Sequence, residues 1–185
     1  MPDTILQMSR EEYRRWAQGQ PRGRFERVAG QVVPMPAEKI VHALLKAAVW
    51  RALDDAVRAV GLLAQAFPDG ITVEVDKDTD YEPDALVNLG PRPGLDEIAA
   101  PNPVVVVEVL SPSTQSIDTG DKLAGYFRVP SIAHYLVVSA RRRQVVHHRR
   151  VGDAIISAVV TAGRIVLDPP GITIEIEAIY GEVGL

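Results

Sequence analysis

The clearest periodic pattern in the chain covers residues 38–60, where apolar side chains recur at the three- and four-residue spacing of an α-helix. These residues are Val41, Leu44, Leu45, Ala48, Val49, Ala52, Leu53, Ala56 and Val57. Gly61 follows directly, and glycine is the residue at which helices most readily end. The pattern therefore predicts one long helix with a continuous apolar face.

Strand patterns dominate the rest of the chain. Residues 104–110 are apolar at every position except one, which predicts a central strand covered on both faces of its sheet. A helix is predicted at residues 118–128, since Asp118 can begin it and Pro130 ends it. Further strands are predicted at residues 62–67, 71–75, 85–89, 134–138, 144–149, 154–160, 164–167 and 172–176, with a short helix or turn after the last.

The N-terminal region completes the prediction of the fold. Ser9 and Glu12 have the spacing of a capping box, which predicts a helix at residues 9–18. Residues 24–33 resemble a hairpin, and the proline-rich residues 90–103 a loop. We expect an α/β fold in which helices flank a mixed central sheet with additional antiparallel strands. Residues 1–185 are expected to form a single domain.

Composition narrows the possible chemistry. The 185 residues include no cysteine, which excludes disulfides and thiolate metal sites, so any metal must be held by oxygen or imidazole. No apolar run approaches the roughly 18 residues of a membrane span, and no secretory signal pattern begins the chain. We therefore expect a cytoplasmic protein without a membrane partner.

The charge is mildly acidic, with a formal net charge of −4, which weakens the case for tight non-specific binding to nucleic acid. Arginines are nevertheless concentrated in two segments and could bind phosphates. An ordinary solvated surface explains them equally well. The two groups are Arg10, Arg14, Arg15, Arg22, Arg24 and Arg27, and then Arg141, Arg142, Arg143, Arg149 and Arg150.

Two carboxylates lie at the ends of predicted strands. Asp84 precedes the strand at residues 85–89, and Glu108 lies near the end of the central strand. Antiparallel pairing of these strands would place the two acids side by side at one edge of the sheet. An unpaired buried carboxylate costs several kcal/mol, so the pair indicates a bound partner. Mg²⁺ or Mn²⁺ fits two carboxylates, and the Val109 carbonyl could supply a third oxygen ligand.

Lys122 is the candidate cationic partner of these acids. It follows Asp118 by four residues, so the two share one face of the predicted helix, and its long side chain could reach back to the carboxylates. The alternative interpretation is an ordinary surface ion pair between Asp118 and Lys122.

The ordered motifs resemble the Uma2 family of proposed endonucleases, formerly a domain of unknown function, within the PD-(D/E)XK nuclease superfamily. The matching residues are Phe25-Glu26, Gly30, Met35-Pro36, His42, Pro83-Asp84, Glu108-Val109-Leu110-Ser111-Pro112-Ser113-Thr114, Asp118, Lys122, Tyr126 and Pro170-Gly171-Ile172. In that superfamily the lysine usually lies two residues after the glutamate. Leu110 occupies that position here, and the resemblance implies that Lys122 replaces it.

The resemblance implies a restriction-endonuclease-like fold, DNA as the partner, and a homodimer that cuts both strands. It also implies supporting roles for Glu26, His42 and Asp118. The leading hypothesis is thus a metal-dependent endonuclease that hydrolyses phosphodiester bonds of DNA, with Asp84 and Glu108 holding the cation and Lys122 assisting the water or the phosphate. The alternatives are a non-catalytic nucleic-acid-binding or interaction module on the same fold, and a small-molecule phosphoesterase.

Overall fold

The computed structural model describes residues 7–35, 37–110 and 118–185, without the side chains of residues 118 and 119. The helices in these segments are α1 (Arg10–Gln18), α2 (Ile40–Val60), α3 (Asp118–Tyr126) and α4 (Ile176–Tyr180). The strands are β1 (Phe25–Val28), β2 (Gln31–Pro34), β3 (Ala64–Pro68), β4 (Val73–Glu74), β5 (Asp80–Tyr81), β6 (Ala85–Leu89), β7 (Pro103–Leu110), β8 (His134–Ser139), β9 (Val145–Val151), β10 (Ala154–Val160), β11 (Arg164–Leu167) and β12 (Ile172–Glu175).

The main sheet has six strands in the order β10-β9-β8-β7-β6-β3. β7 and β8 run parallel and are connected through α3, whereas the other neighbouring pairs are antiparallel. A second sheet has the order β2-β1-β5-β4, and β11 pairs with β12 in a third. The predicted mixed α/β fold with additional antiparallel strands is confirmed.

The central strand β7 is buried at all of its positions, as its apolar sequence predicts. Because side chains alternate along a strand, its two faces contribute to different core clusters. Val105, Val107 and Val109 pack in the cluster that includes α2, α4 and β12. Val106 and Leu110 pack in the cluster of Tyr81, Tyr126 and Tyr135, on the side of α3. Glu108 lies between Val106 and Leu110 in the alternation, so its side chain points to this second face, toward α3.

The long helix α2 begins at Ile40, two residues after residue 38, where the predicted helix starts. Lys39 precedes it and makes no side-chain capping hydrogen bond. It ends as predicted, because Gly61 adopts the left-handed conformation with φ of 64°. Its apolar face packs on β3, β6, β7, β12 and α4. Among the residues described, no helix is both long and apolar enough to cross a membrane.

The segments predicted as strands at residues 62–67 and 71–75 belong to different sheets. β3 pairs with β6 in the main sheet, and β4 pairs with β5 in the four-stranded sheet. The two-residue β5 was not predicted, since so short a strand has no periodicity to detect. Its pairing with β1 connects the N-terminal hairpin to the rest of the four-stranded sheet.

Most arginines of the N-terminal segment form ion pairs within the protein, which argues against the prediction that they bind phosphate. Arg27 is fully buried and donates from Nε to Asp80 at 2.8 Å, so a phosphate-binding role for it is wrong. Arg14 pairs with Glu74, and Arg24 pairs with Asp69. In the second segment the Arg150 guanidinium donates to the carbonyl oxygens of Phe127, Val129 and Ile132.

A glycine allows α3 to approach the four-stranded sheet closely. A Cβ at Gly125 would lie 2.6 Å from the Tyr81 ring, a distance that requires the helix or the ring to move. Gly125→Ala should therefore destabilise the protein by about 1–3 kcal/mol. Gly120→Ala is the matched control, because nothing lies within 4 Å of its added Cβ. It should be neutral or stabilise by up to about 1 kcal/mol. Urea unfolding of both variants tests this, and equal effects would contradict it.

Candidate active site

Asp84 and Glu108 lie at the same end of the β6–β7 pair. The antiparallel register ends where Ala85 faces Val107, one residue from each acid, and the Asp84 N–H donates to the Val107 carbonyl at 2.9 Å. Both acids are buried, at 3% and 5% exposure respectively. The predicted juxtaposition at one end of the sheet is therefore present.

Lys122 reaches Glu108 from α3. Its ammonium lies 3.0 Å from Oε1 of Glu108 and 3.0 Å from Oε1 of Glu26, and the residue is 6% exposed. It also lies 5.5 Å from the centroid of the Tyr81 ring. The interpretation of Lys122 as an exposed surface residue is wrong. Asp118 begins α3, but its side chain lies outside the described part of the chain, as do Ser111, Ser113 and Thr114.

Glu26 brings the four-stranded sheet into contact with this cluster. It lies on β1 beside Arg27, and alternation sends these two side chains to opposite faces of the strand. Besides Lys122, Oε1 of Glu26 accepts a hydrogen bond from the Glu82 backbone N–H at 3.0 Å. The predicted supporting role of Glu26 stays a prediction, and the contact adds that Glu26 holds the ammonium of Lys122 beside Glu108.

The environment of Glu108 favours proton retention. Burial raises the pKa of its carboxyl to about 7, with Lys122 opposing the rise and the nearby charges of Asp84 and Glu26 adding to it. Tyr126 donates its hydroxyl to Oε1 of Glu108 at 2.6 Å. Burial and the Glu108 charge raise the pKa of Tyr126 well above its usual value, so the phenol remains a donor.

Asp84 uses its two oxygens differently. Oδ2 accepts a hydrogen bond from the Val109 N–H at 2.7 Å and lies 4.0 Å from Nε2 of His42. The same His42 nitrogen contacts the Val109 carbonyl oxygen, which is the third ligand predicted from the sequence. Oδ1 instead lies 2.7 Å from the ammonium of Lys46. The carboxylate, the carbonyl and the imidazole therefore converge at the end of β7.

Lys46 belongs to a second cluster that the sequence analysis did not identify. Its ammonium contacts Asp84, Asp69 and Glu38, and its side chain is 7% exposed. The signal in the sequence was a lysine on the apolar face of α2, between Leu45 and Val49, because a charge buried there requires acidic partners. The partners themselves could not be predicted, since they lie outside the helix.

Burial tends to lower the pKa of Lys46, but the charge of Asp84 and hydrogen bonds to Asp69, Asp84 and Glu38 raise it overall above its ordinary value. The carboxylate contacts therefore favour the charged form of Lys46. Arg24 adds a second cation to this cluster through its contact with Asp69.

The sequence model of the Uma2 family, described as "Putative restriction endonuclease", matches residues 10–178, nearly the whole chain. The chain belongs to the Uma2 family. The matched segment includes Glu26, Asp84, Glu108 and Lys122, so the clusters described above lie within the part of the chain that the family model covers.

Two Synechocystis proteins are similar in sequence to this Uma2 protein. Uncharacterized protein slr1290 is 27% identical over 184 residues, covering 94% of this chain and 91% of that protein. Uncharacterized protein sll1609 is 33% identical over 57 residues, covering 31% of this chain and 32% of that protein.

The fold resembles that of a solved structure from Anabaena variabilis ATCC 29413, described as "a putative nuclease belonging to DUF820". The TM-score is 0.73 at 16% identity, over 95% of this chain and 99% of the Anabaena chain. At that identity the likeness establishes that the two chains share a fold.

Proposed function

We propose that this Uma2 protein is a metal-dependent endonuclease that hydrolyses phosphodiester bonds of DNA. The observation that carries the proposal is the contact of Lys122 with Glu108, at the end of the central strands where Asp84 also lies. Two acids and a lysine are the groups that this hydrolysis requires. The descriptions of the family as "Putative restriction endonuclease" and of the Anabaena protein as "a putative nuclease" support the same reaction.

The donor groups at this position suit a hard divalent cation. Asp84 and Glu108 supply carboxylate oxygens, and the Val109 carbonyl oxygen lies at the same strand end, within contact of His42. We propose that Asp84, Glu108 and the Val109 carbonyl would hold Mg²⁺ or Mn²⁺. When bound, such an ion lowers the pKa of a water ligand and polarises the phosphate.

The protein side chains have distinct proposed roles. The Lys122 ammonium orients the attacking water or stabilises the negative charge that develops on the phosphate oxygens. Glu26 fixes that ammonium, and the Tyr126 hydroxyl fixes the carboxylate of Glu108. His42 positions the Val109 carbonyl, and Asp118 is proposed to support the start of α3.

Three broader expectations accompany this proposal. Residues 1–185 form a single Uma2-type domain, and the protein acts in the cytoplasm. It works as a homodimer, because cutting both strands of a duplex favours two sites related by a two-fold axis.

One observation favours a second candidate function. Asp84, Glu108 and Lys122 are each at most 6% exposed, and the acids are already paired with lysines. Carboxylates that are buried and already neutralised by lysines need no metal ion. This is what we expect in a non-catalytic member of the family that keeps the fold as a nucleic-acid-binding or interaction module. This candidate predicts DNA binding without cleavage.

Cleavage assays with Lys122 variants test the proposal. We expect wild-type protein with Mg²⁺ or Mn²⁺ to cut DNA, and chelation by EDTA to stop it. Lys122→Met should lower kcat by about a hundred- to a thousandfold with little change in KM, because the ammonium acts mainly on charge that develops in the transition state. Lys122→Arg, which keeps the charge, should recover part of the loss.

The controls separate the candidate functions. Lys77→Met removes a lysine whose side chain is 89% exposed and should leave the activity unchanged. Duplex DNA, single-stranded DNA, RNA and a small chromogenic phosphodiester are assayed in parallel. Cleavage of the small ester alone would favour the small-molecule phosphoesterase. DNA binding without cleavage under all conditions would contradict the endonuclease and favour the binding module.

A further inference from the structure

A lysine ammonium is surrounded by carboxylates beside the proposed metal ligands. Lys46 Nζ lies 2.7 Å from Oδ1 of Asp84 and 2.7 Å from Oδ2 of Asp69, and it also contacts Oε1 of Glu38. An ammonium has three N–H donors, and each has one carboxylate partner here. The group is therefore fixed in position by three contacts from three separate parts of the chain.

The three carboxylates have the spacing of a cation site. One oxygen from each of Glu38, Asp69 and Asp84 lies within 4.8 Å of the others. Divalent cations bind oxygen at about 2.0–2.6 Å, so oxygens spaced in this way can be ligands of one ion. The ammonium of Lys46 occupies the position between them, where such an ion would bind.

Asp84 connects this position to the proposed metal site. Its Oδ1 faces Lys46, whereas its Oδ2 faces the Val109 N–H and the imidazole of His42. In two-metal hydrolases the ions lie about 3.5–4 Å apart, close enough for one carboxylate to bind both. Asp84 corresponds to such a shared carboxylate, because it lies between the Lys46 ammonium and the proposed metal site.

The charge balance of the cluster fits the same interpretation. Glu38, Asp69 and Asp84 contribute three negative charges, against which Arg24 and Lys46 place two positive ones. Arg24 is shared with Glu82, which lies 3.5 Å from its guanidinium. Removing Lys46 would leave the three carboxylates with only this shared cation, and a divalent ion could neutralise the excess negative charge.

We propose that the Lys46 ammonium takes the place of a second divalent cation, so that this protein holds one metal ion rather than two. This inference rests on the proposed function, in which Asp84 holds the first ion. Lys46 acts as a positioning residue, since its ammonium neutralises the outer oxygen of Asp84 and directs the other oxygen toward the first ion.

Mn²⁺ titration of the full chain tests the inference without relying on activity. Calorimetry and electron paramagnetic resonance should give one bound Mn²⁺ for the wild type. Lys46→Met removes the charge but keeps the chain length within the apolar face of α2, and should bind two. The second ion should also appear as a spin-coupled Mn²⁺ pair in the resonance spectrum.

Two control variants match this substitution. Lys46→Arg keeps a cation in the cluster and should still bind one ion. Lys39→Met removes an exposed lysine at the N-terminus of the same helix and should also bind one. Circular dichroism verifies folding. If Lys46→Met does not fold, Lys46→Gln, whose amide can still donate to the carboxylates, is judged by the same stoichiometry.

The possible outcomes separate the two proposals. Two ions in the wild type, or one ion in both the wild type and the neutral variants, would overturn the inference about Lys46. No ion in the wild type but one in Lys46→Met would contradict the metal ion of the proposed function. It would still support the inference that Lys46 occupies a cation position. No ion in either protein would overturn both.

Discussion

Replacing Asp84 with asparagine should abolish Mn²⁺ binding and lower DNA cleavage by on the order of a thousandfold or more, because several kcal/mol of charge stabilisation in the transition state are lost with the cation. The substitution keeps the size of the side chain and removes its negative charge. Calorimetric Mn²⁺ titration and cleavage assays, run on the same preparations, measure the two losses.

The amide cannot satisfy both partners of Asp84. One oxygen accepts from the Val109 N–H and the other from the Lys46 ammonium, so an asparagine NH₂ group must face one of these donors. We expect a stability loss of about 1–3 kcal/mol from the unpaired donor. The loss is small enough to leave a folded protein for the assays.

An acid remote from the cluster supplies the control. Asp78 has a largely exposed side chain, and Asp78→Asn should leave metal binding and cleavage unchanged. Asp84→Asn protein that still bound Mn²⁺ and cut DNA at the wild-type rate would refute the role assigned to Asp84.

The largest effect on stability is expected at Arg27. Its side chain is fully buried, pairs with Asp80, and also donates to the carbonyl oxygen of Lys77 at 2.9 Å. Arg27→Met leaves Asp80 buried with Arg10 as its remaining cation, 2.7 Å away. Removing one partner of a buried ion pair lowers the free energy of unfolding by about 3–5 kcal/mol. Because Arg10 still pairs with Asp80, we expect Arg27→Met to lose an amount near the lower end of that range. Urea unfolding measures the change.

Arg58→Met is the matched control for Arg27→Met. Arg58 pairs with Asp54 at 2.6 Å within α2, but its side chain is 75% exposed. An exposed pair one helical turn apart contributes about 0.3–0.5 kcal/mol, so this substitution should change the stability little. Similar losses in the two variants would show that burial of Arg27 is not the cause.

The parts of the structure that were predicted are those with a local pattern in the sequence. The apolar run of β7, the long periodic stretch of α2 and the capping box at Ser9 each determine their elements through neighbouring residues. Ser9 and Glu12 exchange the expected hydrogen bonds at the start of α1. The proximity of Asp84 and Glu108 was also predictable, because it requires only that β6 and β7 pair side by side.

The parts that were missed depend on contacts between distant segments. Lys46 is buried because Asp69 and Asp84 come from elsewhere in the chain to neutralise it, 23 residues away in the case of Asp69. The arginines of α1 and β1 have the composition of a phosphate-binding surface, yet Arg10, Arg14 and Arg27 pair with the protein's own acids. Whether a cation faces solvent or a carboxylate is decided by tertiary packing, which no local pattern encodes.

The alternation of side chains along β7 has a consequence for where a lysine that contacts Glu108 can be placed. Glu108 and residue 110 project from the same face of the strand, and α3 covers that face. A lysine at either residue 110 or residue 122 thus approaches the carboxylate from the same side. Because Lys122 already reaches Glu108 on this face, Leu110 can be apolar and packs in the core cluster beneath α3.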